Sequence, residues 1–211
     1  MDFLYPPRCP KCKAYVEERG GWCLPCLRQA VHVRRLHLPP ELAGSMERVW
    51  ALGYYRGELQ DLIRGLKYQG KKGNLSYIET FLRACEGELD DLPSGTVAVP
   101  VPLHPARERE RGFNQVELIF HSWLAGRGVP MEPILLRRRR TKAQYGLSVR
   151  ERRENLRDAF ALAEGVDVRG RDILLLDDVL TTGATFWACS AALKAAGALA
   201  VCGLALASDR T

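Results

Sequence analysis

The chain has 211 residues, 46% apolar and 27% charged, a composition that suits a globular protein with one main core and a small appendage. Its longest stretch without a polar or charged side chain, Ala195 to Ala207, is too short and too rich in Ala and Gly to cross a bilayer; MDFLYPPRCP carries an acid where a signal peptide would be cationic, so the expected compartment is the cytoplasm, with no membrane span. The net charge of +6 is local rather than general: between His104 and Arg157 stand 12 Arg and one Lys against six Glu, which points to a partner carrying phosphates.

Four of the seven cysteines are paired as Cys9-Pro-Lys-Cys12 and Cys23-Leu-Pro-Cys26. The spacing C-x2-C-x10-C-x2-C supplies four thiolates to a closed tetrahedral site, which points to structural Zn²⁺ in preference to a redox or iron–sulfur centre. Residues 1–31 therefore read as a four-cysteine zinc-ribbon module, two knuckle turns joined by a hairpin. Such a module can be a folding clamp that binds nothing, or it can grip a protein or nucleic acid. Arg8, Lys11, Lys13 and Arg28 around Trp22 would suit single-stranded nucleic acid, with a base stacked on the indole. Cys85, Cys189 and Cys202 stand in apolar settings and read as ordinary buried residues.

Residues 32–48 form a connector turning at Pro39-Pro40, and residues 49–211 form the main domain. Val49 to Tyr55 reads as a short strand, and Leu59, Leu62, Ile63 and Leu66 recur at helical spacing. A second helix is expected over Leu75 to Cys85, a strand over Thr96 to Leu103, and a helix burying Phe113, Val116, Ile119, Phe120, Trp123 and Leu124. A strand at Met131 to Leu136 leads into an arginine-rich stretch. The chain closes with an apolar strand at Asp172 to Leu176, a helix over Gly183 to Ala196 and an apolar strand over Ala200 to Ala207. Unbroken apolar strands alternating with helices imply an α/β fold, its parallel sheet covered on both faces and its ligands at the carboxyl ends of the strands.

The segment ILLLDDVLTTGAT, Ile173 to Thr185, is where chemistry is expected. It reads as a strand, an acidic turn at Asp177 and Asp178, and a loop opening into a helix. Carboxylates at a strand end can accept hydrogen bonds from ribose hydroxyls and help hold a hydrated Mg²⁺. Thr181, Thr182, Gly183, Ala184 and Thr185 offer hydroxyls, a permissive glycine and the unpaired N–H groups of a helix start, which suit a phosphate monoester. The competing explanation for the same residues is an ordinary turn followed by a threonine-rich cap. Arg137, Arg138, Arg139 and Arg140 fit a nucleic-acid phosphate track at least as well as a catalytic loop.

LLLDDVLTTGAT resembles the phosphoribosyl pyrophosphate (PRPP) motif of type I phosphoribosyltransferases. Together with VPVPLHPARERERGFNQ, RRTKAQYGLSVRERRENLRDAF and the cysteine-rich start, nearly the whole chain resembles the ComF family of competence-associated, phosphoribosyltransferase-like proteins. The resemblance implies a type I phosphoribosyltransferase fold, with PRPP and Mg²⁺ at Asp177 and Asp178. It implies that Arg107 and Arg111 hold pyrophosphate, although a solvated Arg/Glu helix explains them equally well. A flexible covering loop would carry Thr141, Gln144, Leu147, Arg150, Arg152 and Asn155. His104 falls in the pyrophosphate loop and reads as structural rather than as a general base. Three activities follow as expectations: a phosphoribosyltransferase acting in DNA uptake with single-stranded DNA, a catalytically silent PRPP sensor or nucleic-acid-binding protein, and a purine or pyrimidine salvage enzyme. A competence-machinery partner and a homodimer are further implications. A glutamine-dependent amidotransferase is poorly supported, because no N-terminal nucleophilic Cys and no glutaminase domain are present.

Overall fold

The apolar runs of the sequence become the centre of one sheet. In a computed structural model, which describes residues 6–37, 44–89, 95–138 and 159–210, five strands lie side by side. Their order is β1 (Arg34–Arg35), β2 (Arg48–Tyr54), β7 (Ala200–Ser208), β6 (Asp172–Leu180) and β3 (Val97–Pro100). All neighbours run parallel except β1, which pairs antiparallel with β2. The fold is thus the expected mixed α/β arrangement with a mostly parallel sheet flanked by helices.

Alternation along the strands divides the apolar side chains between two faces. Trp50, Leu52, Leu174, Leu176, Leu204 and Leu206 face α2 (Gly57–Gln69), α3 (Asn74–Cys85) and α5 (Gln115–Gly126). Val49, Ala51, Ile173, Leu175, Val201 and Ala205 face α6 (Ala184–Ala195) and a two-stranded ribbon of β4 (Leu135–Arg137) and β5 (Phe160–Leu162). The expected single core is therefore two apolar clusters separated by the sheet, as follows when both faces are covered. Gly203 lets α6 come close: a Cβ there would stand 2.7 Å from the Phe186 ring.

The cysteine-rich segment packs on the same core. Cys9, Val16, Trp22 and Cys26 belong to the cluster that contains α2 and α3. Trp22 Nε1 donates to the Tyr77 carbonyl at 3.0 Å, and the Tyr77 hydroxyl donates to the Arg8 carbonyl at 3.2 Å. The second cysteine pair leads into a helix, α1 (Leu24–Ala30), while an antiparallel bridge between Arg8 and Tyr15 closes the first pair. Pro39 and Pro40 lie outside the described residues.

Three expected elements change. Met131 makes only an isolated parallel bridge to Ala98, and Leu135–Arg137 leaves the sheet to pair with Phe160–Leu162. Pro133, without an N–H, separates the two pieces. The segment after β3 breaks into α4 (Pro105–Arg111) and α5, with Gly112 in a left-handed conformation and Asn114 capping α5 by accepting from Val116 N at 3.0 Å. Phe113 consequently precedes the helix; Val116, Ile119, Phe120, Trp123 and Leu124 form its buried face as expected. Finally, β6 runs four residues beyond the expected Leu176, to Leu180.

Candidate functional site

That extension of β6 changes the acidic segment from a turn to a strand. Asp177 pairs with Ala205 of β7 and Val179 with Ala207, while the last residue of β3, Pro100, pairs with Leu176. The acids therefore occupy the part of β6 that outruns β3, paired on one side only among the described residues. The long β7 holds the strand straight, and Ser208 Oγ donates to the Leu180 carbonyl at 2.8 Å. Because successive strand residues point to opposite faces, Asp178 turns toward α2 and Asp177 toward α6.

Asp178 is 3% exposed. Its Oδ1 accepts from Lys67 Nζ at 2.8 Å, whereas Oδ2 is buried without a hydrogen-bond partner among the described residues. Burial alone would lower the Lys67 pKa, but the Asp178 charge and hydrogen bond outweigh it and hold the ammonium above its ordinary value. Asp177 Oδ1 accepts from Asp178 N at 2.8 Å. Burial, then the charge of Asp178, pushes the Asp177 carboxyl up to about 8. A divalent cation at the pair would reverse that shift, and an orphaned buried carboxylate oxygen is the kind of donor that such an ion takes.

After Leu180 the chain turns through Thr181 and Thr182 to Gly183, whose φ of 80° requires glycine. Thr182 Oγ1 accepts from Ala184 N at 3.5 Å, and α6 starts at Ala184. Ala184 is buried and Thr181 exposed, with Thr185 between them in exposure. Phe186, anchored against Gly203, fixes the first turn of α6 and so the direction of its free N–H groups.

A hollow of about 370 Å³ adjoins Lys67 and is lined by Lys67, Tyr68, Gly70, Arg107, Glu110 and Arg111. Arg107 and Arg111 project together because they stand four positions apart on α4. The Arg111 guanidinium donates to Gln115 and lies 5.9 Å from the centre of the Tyr68 ring. Gly70 closes α2 in a left-handed conformation, which brings Tyr68 and Gly70 to the same rim. His104 caps α4, its Nδ1 accepting from Ala106 N at 3.1 Å.

Lys67 joins the candidate site without any signal from the motif, bonding Asp178 and lining the hollow. Leu59, Leu62, Ile63 and Leu66 define the buried stripe of α2, and Lys67 continues that stripe four residues after Ile63. A cation on an apolar stripe was the available signal.

Of the arginine run, Arg137 is half-buried 5.4 Å from the centre of the Phe160 ring, and burial lowers its pKa. Arg138 is exposed, with its backbone N donating to the Ala159 carbonyl at 2.8 Å. Arg139, Arg140, Thr141, Gln144, Leu147, Arg150, Arg152 and Asn155 lie outside the described residues. Cys85 and Cys189 are fully buried as expected, whereas Cys202 is only partly so.

The sulfurs of Cys9, Cys12, Cys23 and Cys26 all lie within 4.8 Å of one another. Four ligands about 2.3 Å from a tetrahedral Zn²⁺ would stand roughly 3.8 Å apart, so the set fits a structural zinc. Trp22, expected as a stacking surface for a base, is 8% exposed and built into the core, because its apolar area and indole N–H are both used to dock the ribbon. Among the described residues no helix is long and apolar enough to cross a membrane.

Comparison with known proteins agrees with this division. Residues 1–36 match the double zinc ribbon domain family; this chain carries one set of four cysteines in that span. Competence protein F of Haemophilus influenzae is 30% identical over 200 residues, covering 90% of this chain and 80% of the relative. DNA utilization protein YhgH of Escherichia coli K12 is 31% identical over 208 residues, covering 92% and 86%. The protein of the same name from Salmonella typhimurium is 30% identical over 188 residues, covering 84% and 79%. At this identity and coverage of both chains, the chain belongs to the ComF/YhgH family.

Proposed function

We propose that this chain binds PRPP with Mg²⁺ in the crevice at the carboxyl end of β6 and serves the handling of single-stranded DNA during uptake. The observation that carries the reading is the stretch of β6 beyond β3: two acids, one with a buried oxygen that is orphaned among the described residues, followed within five residues by the left-handed Gly183 and the start of α6. Asp177 and Asp178 would accept the ribose hydroxyls and hold the cation. Thr181 to Thr185 would hold the 5-phosphate, and Arg107 and Arg111 the pyrophosphate. Bound Mg²⁺ supplies charge neutralisation on the pyrophosphate oxygens.

If the ligand is turned over, the bond from ribose C1 to pyrophosphate oxygen breaks as an acceptor nitrogen bonds to C1. Arg107 and Arg111 would then stabilise the departing pyrophosphate. Isothermal titration tests the site: wild type binds PRPP only with Mg²⁺, and the double variant Asp177→Asn, Asp178→Asn loses that binding. Unchanged affinity in the double variant sinks the assignment. Release of pyrophosphate over a panel of purines, pyrimidines and amines separates turnover from sensing.

The DNA part of the reading draws support from the names of the relatives and from a groove of about 690 Å³ between the ribbon and α2. Arg8, Lys11, Lys13, Arg64 and Lys71 line it, against Glu58 and Asp61. Such a surface suits a phosphate backbone and makes binding steeply salt-dependent. Neutralising Lys11, Lys13 and Lys71 should weaken single-stranded DNA binding and flatten its salt slope. If only neutralising Arg137 to Arg140 does so, the track runs along that stretch instead.

A further inference from the structure

Lys67 belongs to two sites at once. Its ammonium neutralises Asp178, and its side chain lines the cationic hollow with Arg107 and Arg111. These residues come from segments far apart in the chain; Lys67 and Asp178 are 111 residues apart. A pair built only for stability would satisfy both carboxylate oxygens, because an unbonded buried oxygen is costly. Here one oxygen is bonded and the other is orphaned among the described residues. The cation is a lysine, a point charge on a flexible stem, rather than an arginine whose planar fork would grip both oxygens in one geometry. The lysine is also the more open partner, 15% exposed at the side chain against 4% for the acid.

We propose that Lys67 is a two-position residue that couples anion binding in the hollow to cation binding at Asp178. While the hollow holds no anion, Lys67 stays on Asp178. When a pyrophosphate group enters beside Arg107 and Arg111, the Lys67 ammonium crosses to it, and both oxygens of Asp178 become ligands for a divalent cation or a ribose hydroxyl. Each event removes the obstacle to the other: the anion draws away the lysine that blocks the acid, and the cation replaces the charge that the lysine withdraws. Coupling of this kind is reciprocal, so the cation must favour the anion by the same factor. The assignment rests on the PRPP reading for its biological ligand, but the handover itself is a property of inorganic pyrophosphate and the freed acid.

The test is isothermal titration of the full chain with inorganic pyrophosphate in the absence of divalent metal, then with PRPP and Mg²⁺. In Asp178→Asn the lysine has no charged competitor, so metal-free pyrophosphate should bind about tenfold more tightly than to wild type. Lys67→Met should bind it about tenfold more weakly, and adding Asp178→Asn to Lys67→Met should restore nothing, since the gain acts through the lysine. Lys67→Arg should bind metal-free pyrophosphate more weakly and lose the coupling to metal, because the fork does not leave the carboxylate as readily. Unchanged pyrophosphate affinity in folded Lys67→Met, or metal-free binding in Asp178→Asn that is no tighter than in wild type, overturns the handover. Circular dichroism checks each fold, and if Lys67→Met is unfolded, Asp178→Asn decides alone. Wild type that binds pyrophosphate but not PRPP refutes the ribose reading and leaves the handover standing; wild type that binds neither overturns both.

Discussion

The cysteine centre and the acidic strand are built in opposite ways. All four sulfurs come from one stretch of the chain, Cys9 to Cys26, and converge within 4.8 Å. The candidate acidic site would draw on two carboxylates from β6, a glycine-opened helix start, a lysine from α2 and two arginines from α4. A local site can be read from spacing. A site assembled across the fold can be read only as far as its motif, and here the counter-charge of the motif lies elsewhere.

The sharpest way to break this contrast is to remove the metal. The ribbon shares its apolar cluster with α2 and α3, so a chelator or Cys9→Ser should destabilise the whole domain by several kcal/mol, seen as one shifted thermal transition. Two separate transitions, with the domain unmoved, would make the ribbon an independent appendage. Trp22→Ala probes the same joint from the packing side and should cost about 3–5 kcal/mol in chemical denaturation. Trp22→Phe, which loses the bond to Tyr77, should cost about 1 kcal/mol.

Turning to the acidic strand, Gly183→Ala forces a left-handed conformation on a residue with a Cβ and should cost about 1–2 kcal/mol. It should also weaken PRPP binding, whereas Gly170→Ala, also left-handed but beside the Gly197 carbonyl, should leave binding alone.

The pH dependence of stability tests the acidic strand separately. The Asp177 carboxyl is raised in the fold, so the folded state keeps a proton that the unfolded chain gives up. Metal-free stability is therefore greatest below the ordinary carboxylate range, falls as pH rises toward about 8, and levels above it. Asp177→Asn should remove that slope and make the metal-free protein more stable at neutral pH, measured by denaturant midpoints across the window. An unchanged slope would mean that the acid is not held protonated. A stabilising change at a chemistry-bearing position would fit a site where a charged group is kept against the preference of the fold.

Much of the fold was legible because burial on both faces leaves continuous apolar runs, as at Leu174, Leu175 and Leu176, and because helical stripes such as Leu59, Leu62, Ile63 and Leu66 repeat plainly. The pairing of β4 with β5 was not, because strand partners are chosen by tertiary placement and only Pro133 hinted at a break. The extension of β6 was hidden for a related reason: Asp177 and Asp178 look like the end of a strand until β7 is seen to run beside them to Ser208. Trp22 misled for the opposite reason, since nearby cations suggested an exposed stacking face where the core needed an anchor.

By itself the sequence determined the thiolate set, the two acids, the glycine that opens α6 and the i, i+4 arginines of α4, because each depends on residue type and short spacing. Only the tertiary structure decided that the acids face opposite sides of the sheet, that Lys67 neutralises one of them, and that the ribbon is part of the core. Those are relations between segments far apart in the chain, and they are fixed by which strands pair and which helices cover them.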